Sequence, residues 1–198
     1  GTRLMIESGA QGTLALREWE LASGRETRSW PTPGGFRRHV FSPDEKQIVA
    51  LGSGGAHWHI DLVTGRATRL NFDLRSATMA GFSPDGALFV TPSLLGYARV
   101  WRAPAFQEVT TLTGAVPAYH SAVFSPDGRR LVTSGSGGSS IMVWDVGSYE
   151  LLLVLPTEKS SFRPTAFSPD GNVIGSTSGG GQGALNLWRA PSWAEIEK

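Results

Sequence analysis

The chain has 198 residues, with 25 Gly and 12 Pro, 7 Trp, no Cys and only 18% charged residues. Without cysteine there is no disulfide framework, thiol nucleophile or cysteine zinc site, and a net charge of +1 gives no reason to expect nucleic acid or an anionic membrane as a partner. No apolar run reaches the ~18 residues of a membrane span, and Gly1 to Ile6 does not begin a secretory signal. Aromatic residues at 10% and hydrophobic residues at 40% argue against global disorder. Many glycines and prolines beside many tryptophans point to short strands joined by tight turns.

In chain order, Arg3 to Ser8 reads as a second strand whose inner first strand is absent, followed by a strand ending near Trp19. A repeat then takes over. Phe-Ser-Pro-Asp occurs at Phe41–Asp44, Phe82–Asp85, Phe124–Asp127 and Phe167–Asp170, with the Phe spaced by 41, 42 and 43 residues. Gly follows the Asp in the last three copies and Glu45 in the first. Pro pre-sets one turn φ, Asp bonds back to nearby backbone, and Gly accepts positive φ. A second landmark, Trp101, Trp144 and Trp188, lies 19, 20 and 21 residues after its Phe; Ile60 takes that place in the first full copy, and Trp19 precedes them all. Two independent landmarks share one period.

Residues 119 to 156 give the clearest unit. Tyr119–Phe124, Leu131–Ser134, Ile141–Asp145 and Leu151–Leu155 read as four strands, separated by Ser-Pro-Asp-Gly, by a Gly-rich turn and by Val146-Gly147-Ser148. Only Trp193 to Lys198 hints at a helical turn, and Trp193–Ile196 is also the place for a last fourth strand. Units of ~42 residues and four strands bury their faces by stacking around an axis, so the fold class is an all-β propeller of four-stranded antiparallel blades. The blades fall at about 31–72, 73–114, 115–157 and 158–198, after a partial blade at 1–30.

These strings, with Val143-Trp144-Asp145 and the Thr64-Gly65-Arg66 after Ile60-Asp61-Leu62, resemble the WD-repeat propellers over essentially the whole chain. The resemblance implies a protein-interaction scaffold without enzymatic activity or cofactor, or a sensory or regulatory propeller attached to an enzyme domain such as a bacterial kinase, with a propeller hydrolase as the third reading. It also implies about seven blades in the intact ring, so that this chain is the C-terminal part of a larger propeller, with possible self-association of its open ends. The chain departs from the family in several places. Trp-Asp occurs once, at Trp144-Asp145, and the family's His position holds Thr32, Asp73, Ala115 and Glu158. The Asp–His–Ser–Trp hydrogen-bond tetrad is therefore expected to be missing, leaving stability to apolar packing and turn chemistry. Such departures resemble the repeats of large multidomain bacterial proteins; the sequence, with no signal or membrane span, is expected to have a cytoplasmic setting.

Identical recurrence assigns Phe41, Asp44, Phe82, Asp85, Phe124, Asp127, Phe167, Asp170, Trp19, Trp101, Trp144, Asp145 and Trp188 to structure rather than chemistry. His57, His59 and Asp61 lie at i, i+2 and i+4, a spacing able to hold a metal. Because Asp61 fills the repeated Trp-Asp place, a half-exposed strand face is preferred and no metal is assigned. Residues that vary at equivalent places are better recognition candidates. Four before each Phe come Arg37, Thr78, His120 and Arg163, and one earlier Phe36, Ala77, Tyr119 and Phe162. Arg37, His120 and Arg163 beside Phe36, Tyr119 and Phe162, extended by Trp30, Leu94, Leu95 and Tyr97, are expected to form a rim for an acidic or aromatic peptide. There is no catalytic assignment: no GxSxG elbow or P-loop is present, Gly179–Gly183 precedes a strand rather than a helix, and the inner-strand runs carry no Asp or Glu.

Overall fold

The computed structural model describes residues 2–8, 15–32, 36–52, 55–72, 79–114, 117–136, 140–156, 162–178 and 184–190. The chain divides into two compact units, Gly1–Asp73 and Leu74–Lys198. No helix among the described residues is long and apolar enough to cross a membrane.

In the first unit, β1 (Arg3–Ser8), β2 (Ala15–Glu20) and β3 (Arg25–Pro31) form an antiparallel sheet in that order. β4 (Phe36–Phe41), β5 (Gln47–Gly52), β6 (His57–Asp61) and β7 (Ala67–Leu70) form a four-stranded meander. Leu16 and Trp30 of the first sheet pack against Ile48, Ala50, Ile60 and Leu62 of the second, flanked by Met5, Phe36, Phe41 and Trp58.

The second unit carries three sheets. β8 (Gly81–Phe82), β9 (Leu88–Ser93), β10 (Tyr97–Arg102) and β11 (Gln107–Thr113) form one. β12 (Ala118–Phe124), β13 (Arg130–Ser136), β14 (Ser140–Asp145) and β15 (Leu151–Pro156) form the next, and β16 (Phe162–Phe167), β17 (Val173–Ser178) and β18 (Leu185–Arg189) the last. Val90, Ala98, Val100 and Leu112 meet Tyr119, Ala122, Phe124, Leu131, Met142 and Trp144 between the first two sheets. Val132 and Ile141 meet Phe167, Ile174 and Trp188 between the second and third. Each sheet is the meander expected of a propeller blade, buried on the faces that meet a neighbour. The expected fourth strand and the helical turn at Trp193–Lys198 lie outside the described residues.

One turn chemistry joins the first two strands of four blades. Ser42 Oγ donates to Asp44 Oδ1 at 2.6 Å, that same oxygen accepts Lys46 N–H at 3.1 Å, and Gln47 N–H donates to Ser42 Oγ at 3.0 Å. The pattern repeats at Ser83/Asp85, Ser125/Asp127 and Ser168/Asp170. After the Asp, Gly86, Gly128 and Gly171 take φ of 73°, 71° and 75°, and Glu45 is held at 56° in the copy that lacks Gly. A side chain at such φ is strained by roughly 1–2 kcal/mol. The turn between third and fourth strands also ends at positive φ, at Gly24, Gly65, Phe106 and Tyr149. Phe106 offsets the strain by burial, with its ring edge-on to Phe82 and Phe89.

Candidate interaction surface

The innermost strands share one irregularity. In β4, Phe36 pairs with Gly52 and Arg38 with Leu51, so Arg37 drops out of the ladder. In β12, Tyr119 pairs with Gly135 and Ser121 with Ser134, leaving out His120. In β16, Phe162 pairs with Ser178 and Thr165 with Ser176, so Arg163 and Pro164 oppose Thr177 alone. An extra residue of this kind is a β-bulge, which bends the strand and re-aims a side chain. At the second bulge, the Ala118 carbonyl closes on Gly135 so tightly that a Cβ there would collide with it; only glycine fits opposite. The bulges fall on the three basic residues four places before each Phe.

The surroundings correct part of the expected rim. Tyr119 is fully buried, and Trp30 lies in the core of the first unit, because both sit on the strand face that meets the neighbouring blade. His120 is also buried, with Nε2 3.0 Å from Ser136 Oγ. These three side chains are not presented to a partner. Phe36 is half-buried against the first unit's core. Tyr97 is half-buried under the Arg99 guanidinium, 4.8 Å from its ring centre. Leu94 and Leu95 are exposed. The side chains of Arg37, Phe162 and Arg163, and all of Thr78 and Ala77, lie outside the described residues.

The hydroxyls behind these strands were missed by sequence reasoning. Trp101 Nε1 donates to Thr91 Oγ1 at 2.8 Å, and Trp144 Nε1 to Thr133 Oγ1 at 2.9 Å. The expected loss of the tetrad is thus only partial, since the tryptophan and hydroxyl half survives at Trp101–Thr91 and Trp144–Thr133. The Tyr119 hydroxyl donates to Met142 Sδ at 3.3 Å, and burial pushes its pKa up to about 12. Between neighbouring blades, Thr165 Oγ1 donates to Ser134 Oγ at 2.7 Å and lies 3.0 Å from Ser176 Oγ, and Ala122 N–H donates to the Met79 carbonyl at 3.1 Å. One signal was available: the hydroxyl stands two residues beyond the residue paired with each tryptophan, Phe89 with Trp101 and Leu131 with Trp144. At the same place Ile60 pairs with Ile48 and the residue two on is Ala50, so donor and acceptor are lost together.

The carboxylates belong to turns. Asp61 Oδ1 accepts the N–H of Val63 and Thr64 at 2.8 and 2.9 Å, and Asp145 Oδ1 those of Gly147 and Ser148, both at 2.9 Å. These hydrogen bonds, and those from serine to Asp44, Asp85, Asp127 and Asp170, hold all six carboxyls below the usual aspartate range. His59 Nε2 lies 2.9 Å from Gln47 Oε1, and burial lowers its pKa. His57 is buried beside Phe72, which corrects the half-exposed face expected for the pair. Among the described residues no group of three or more His, Asp or Glu is placed to hold a metal.

The family described as "WD domain, G-beta repeat" matches residues 106–145. The chain is 26% identical over 167 residues to the eukaryotic translation initiation factor 3 subunit I of Candida albicans, covering 72% of this chain and 48% of that protein. Against the subunit of the same name from Debaryomyces hansenii it is 23% identical, covering 71% and 47%. The chain therefore spans about half the length of these curated relatives. Their eukaryotic origin contrasts with the bacterial multidomain setting that the departures from the family pattern suggest. Among solved structures, the chain is similar to Kuenenia stuttgartiensis hydrazine synthase, with a TM-score of 0.74 and 18% identity over 90% of this chain and 53% of that one, a likeness of fold. A Ser-Pro-Asp turn and a strand tryptophan recurring at one period, antiparallel meanders packed face to face, and a WD-repeat match on residues 106–145 are the features this chain shares with the WD-repeat β-propellers, and they support that resemblance.

Proposed function

We propose that the chain is a non-enzymatic interaction scaffold whose inner-strand bulges offer a basic residue to an acidic peptide segment of a partner protein. The carrying observation is that Arg37, His120 and Arg163 leave the ladder at the same place in their blades while the rest of each strand keeps its register. A rigid sheet with one residue out of the ladder is suited to recognition. Arginine supplies a bidentate carboxylate contact. Burial of His120 leaves Arg37 and Arg163 as the operative cations of the two units, each considered by itself. The relatives' names as translation initiation factor subunits fit protein partners and a cytoplasmic setting. An array of acidic, neutral and basic peptides tests the reading. Retention of acidic peptides, weakened by salt and by Arg163→Ala, is the expected result. Equal retention of all three classes contradicts it.

A further inference from the structure

The outermost strand of a blade is its free edge, and this chain shows four of them with very different surfaces. β3 exposes Arg25, Glu26, Thr27, Arg28 and Ser29; β7 exposes Thr68 and Arg69; β11 exposes Gln107, Glu108, Thr111 and Thr113. Charged and hydroxyl side chains of this kind protect an edge from pairing with another chain. β15 breaks the rule. Leu151, Leu152, Leu153 and Val154 occupy the same position and are 42–51% exposed. β15 ends its sheet, so among the described residues no strand pairs with its outer side. Consecutive strand residues point to opposite faces, so the apolar surface covers both faces and the edge between them.

We infer that β15 is a self-association edge, on which a second copy of this chain adds its own β15 antiparallel about a twofold axis. Three observations favour that occupant. The unpaired N–H and C=O groups of the edge call for another extended strand. The run Leu151–Leu155 is aliphatic throughout, so reversing it places aliphatic side chains against aliphatic side chains at every pair, as an isologous interface requires. An axis at Leu153 pairs Leu151 with Leu155 and Leu152 with Val154, and keeps the two Glu150 carboxylates at opposite ends, away from each other. Among the described residues no other outer strand has this self-complementarity: antiparallel copies of β3 or β11 bring charged and hydroxyl groups to the seam. One strand pair buries less than the roughly 1,200 Å² of a stable interface, so the dimer is concentration-dependent. It is independent of the peptide reading, which uses the inner strands.

The absence of cysteine makes the test direct. Single cysteines are placed at each position from Leu151 to Leu155, with Thr111→Cys on β11 as control, and oxidised at concentrations where sedimentation shows dimer. Cross-linking is expected to peak at Leu153, where the axis brings a residue to its twin, and to fall at least tenfold at the control. Leu153→Lys is expected to sediment as monomer with an unchanged circular dichroism spectrum, as the comparable Thr111→Lys retains the dimer. A wild-type chain that stays monomeric at all concentrations overturns the inference. So does cross-linking at Thr111→Cys equal to that in β15.

Discussion

The blades at 36–70 and 118–156 have the same strands and the same first turn, yet they are held differently. In the later blade Trp144 gives its N–H to Thr133, and the buried Tyr119 hydroxyl donates to Met142 Sδ. In the earlier one Ile60 and Ala50 fill those places with hydrocarbon, both fully buried. Removing a buried donor and its acceptor together is nearly neutral, whereas removing one strands the other. The repeat thus conserves a buried, satisfied position rather than a particular residue, and two solutions to it stand side by side in one chain.

The largest effect should come from Trp144→Ala, which empties the core between the second unit's first two sheets. Chemical denaturation is expected to show a loss of about 3–5 kcal/mol. Thr133→Val keeps the volume but leaves the Trp144 N–H without its acceptor, and should cost about 1–3 kcal/mol. Adding Trp144→Phe to it should recover part of that loss, moving the later blade toward the hydrocarbon solution of the earlier one. If the two changes cost simply the sum of each alone, the hydrogen bond is not what couples them.

The first turn offers a smaller contrast. Gly128 and Glu45 occupy the same left-handed place. Gly128→Ala has room for its Cβ, which would sit 3.7 Å from Pro84 Cδ, so its cost should be the backbone strain of roughly 1 kcal/mol. Glu45→Gly should stabilise by no more than that, because glycine also raises the entropy of the unfolded chain. Thermal melts of the two variants should shift in opposite directions.

The smallest and most distributed effect is on acid stability. The serine hydrogen bonds to Asp85 and Asp127 lower their folded pKa values below the unfolded ones. Their contribution is therefore complete above the ordinary aspartate pKa of about 3.9 and is lost as pH falls through the lowered values. Asp127→Asn should flatten the fall in stability below about pH 4 and leave its pH dependence above pH 5 unchanged.

Much of this architecture was legible in the sequence because it depends on local chemistry that repeats. Ser125, Asp127 and Gly128 act within one turn, and Trp144 recurs at a fixed distance, so counting found them. Burial of Tyr119 was not legible. Counting residues back from Phe124 assumes an unbroken alternation, and the bulge at His120 adds one residue that inverts it. Tyr119 therefore turns into the core where the count expected a rim. Thr133 was missed for another reason: a threonine in a strand reads as an ordinary β-former, and only the packed neighbour reveals its hydrogen bond. The contrast between β15 and the other outer strands was written in the residues, but it became visible only once their shared edge position was known.

The most direct test of the functional reading compares Arg163→Ala with Arg129→Ala, an exposed arginine in a turn away from the bulges. Fluorescence anisotropy with one labelled acidic peptide reads both. The account predicts at least a tenfold loss of affinity for Arg163→Ala, about 1.4 kcal/mol, and less than a twofold change for Arg129→Ala. Equal losses for the two variants, or none for Arg163→Ala, would contradict it.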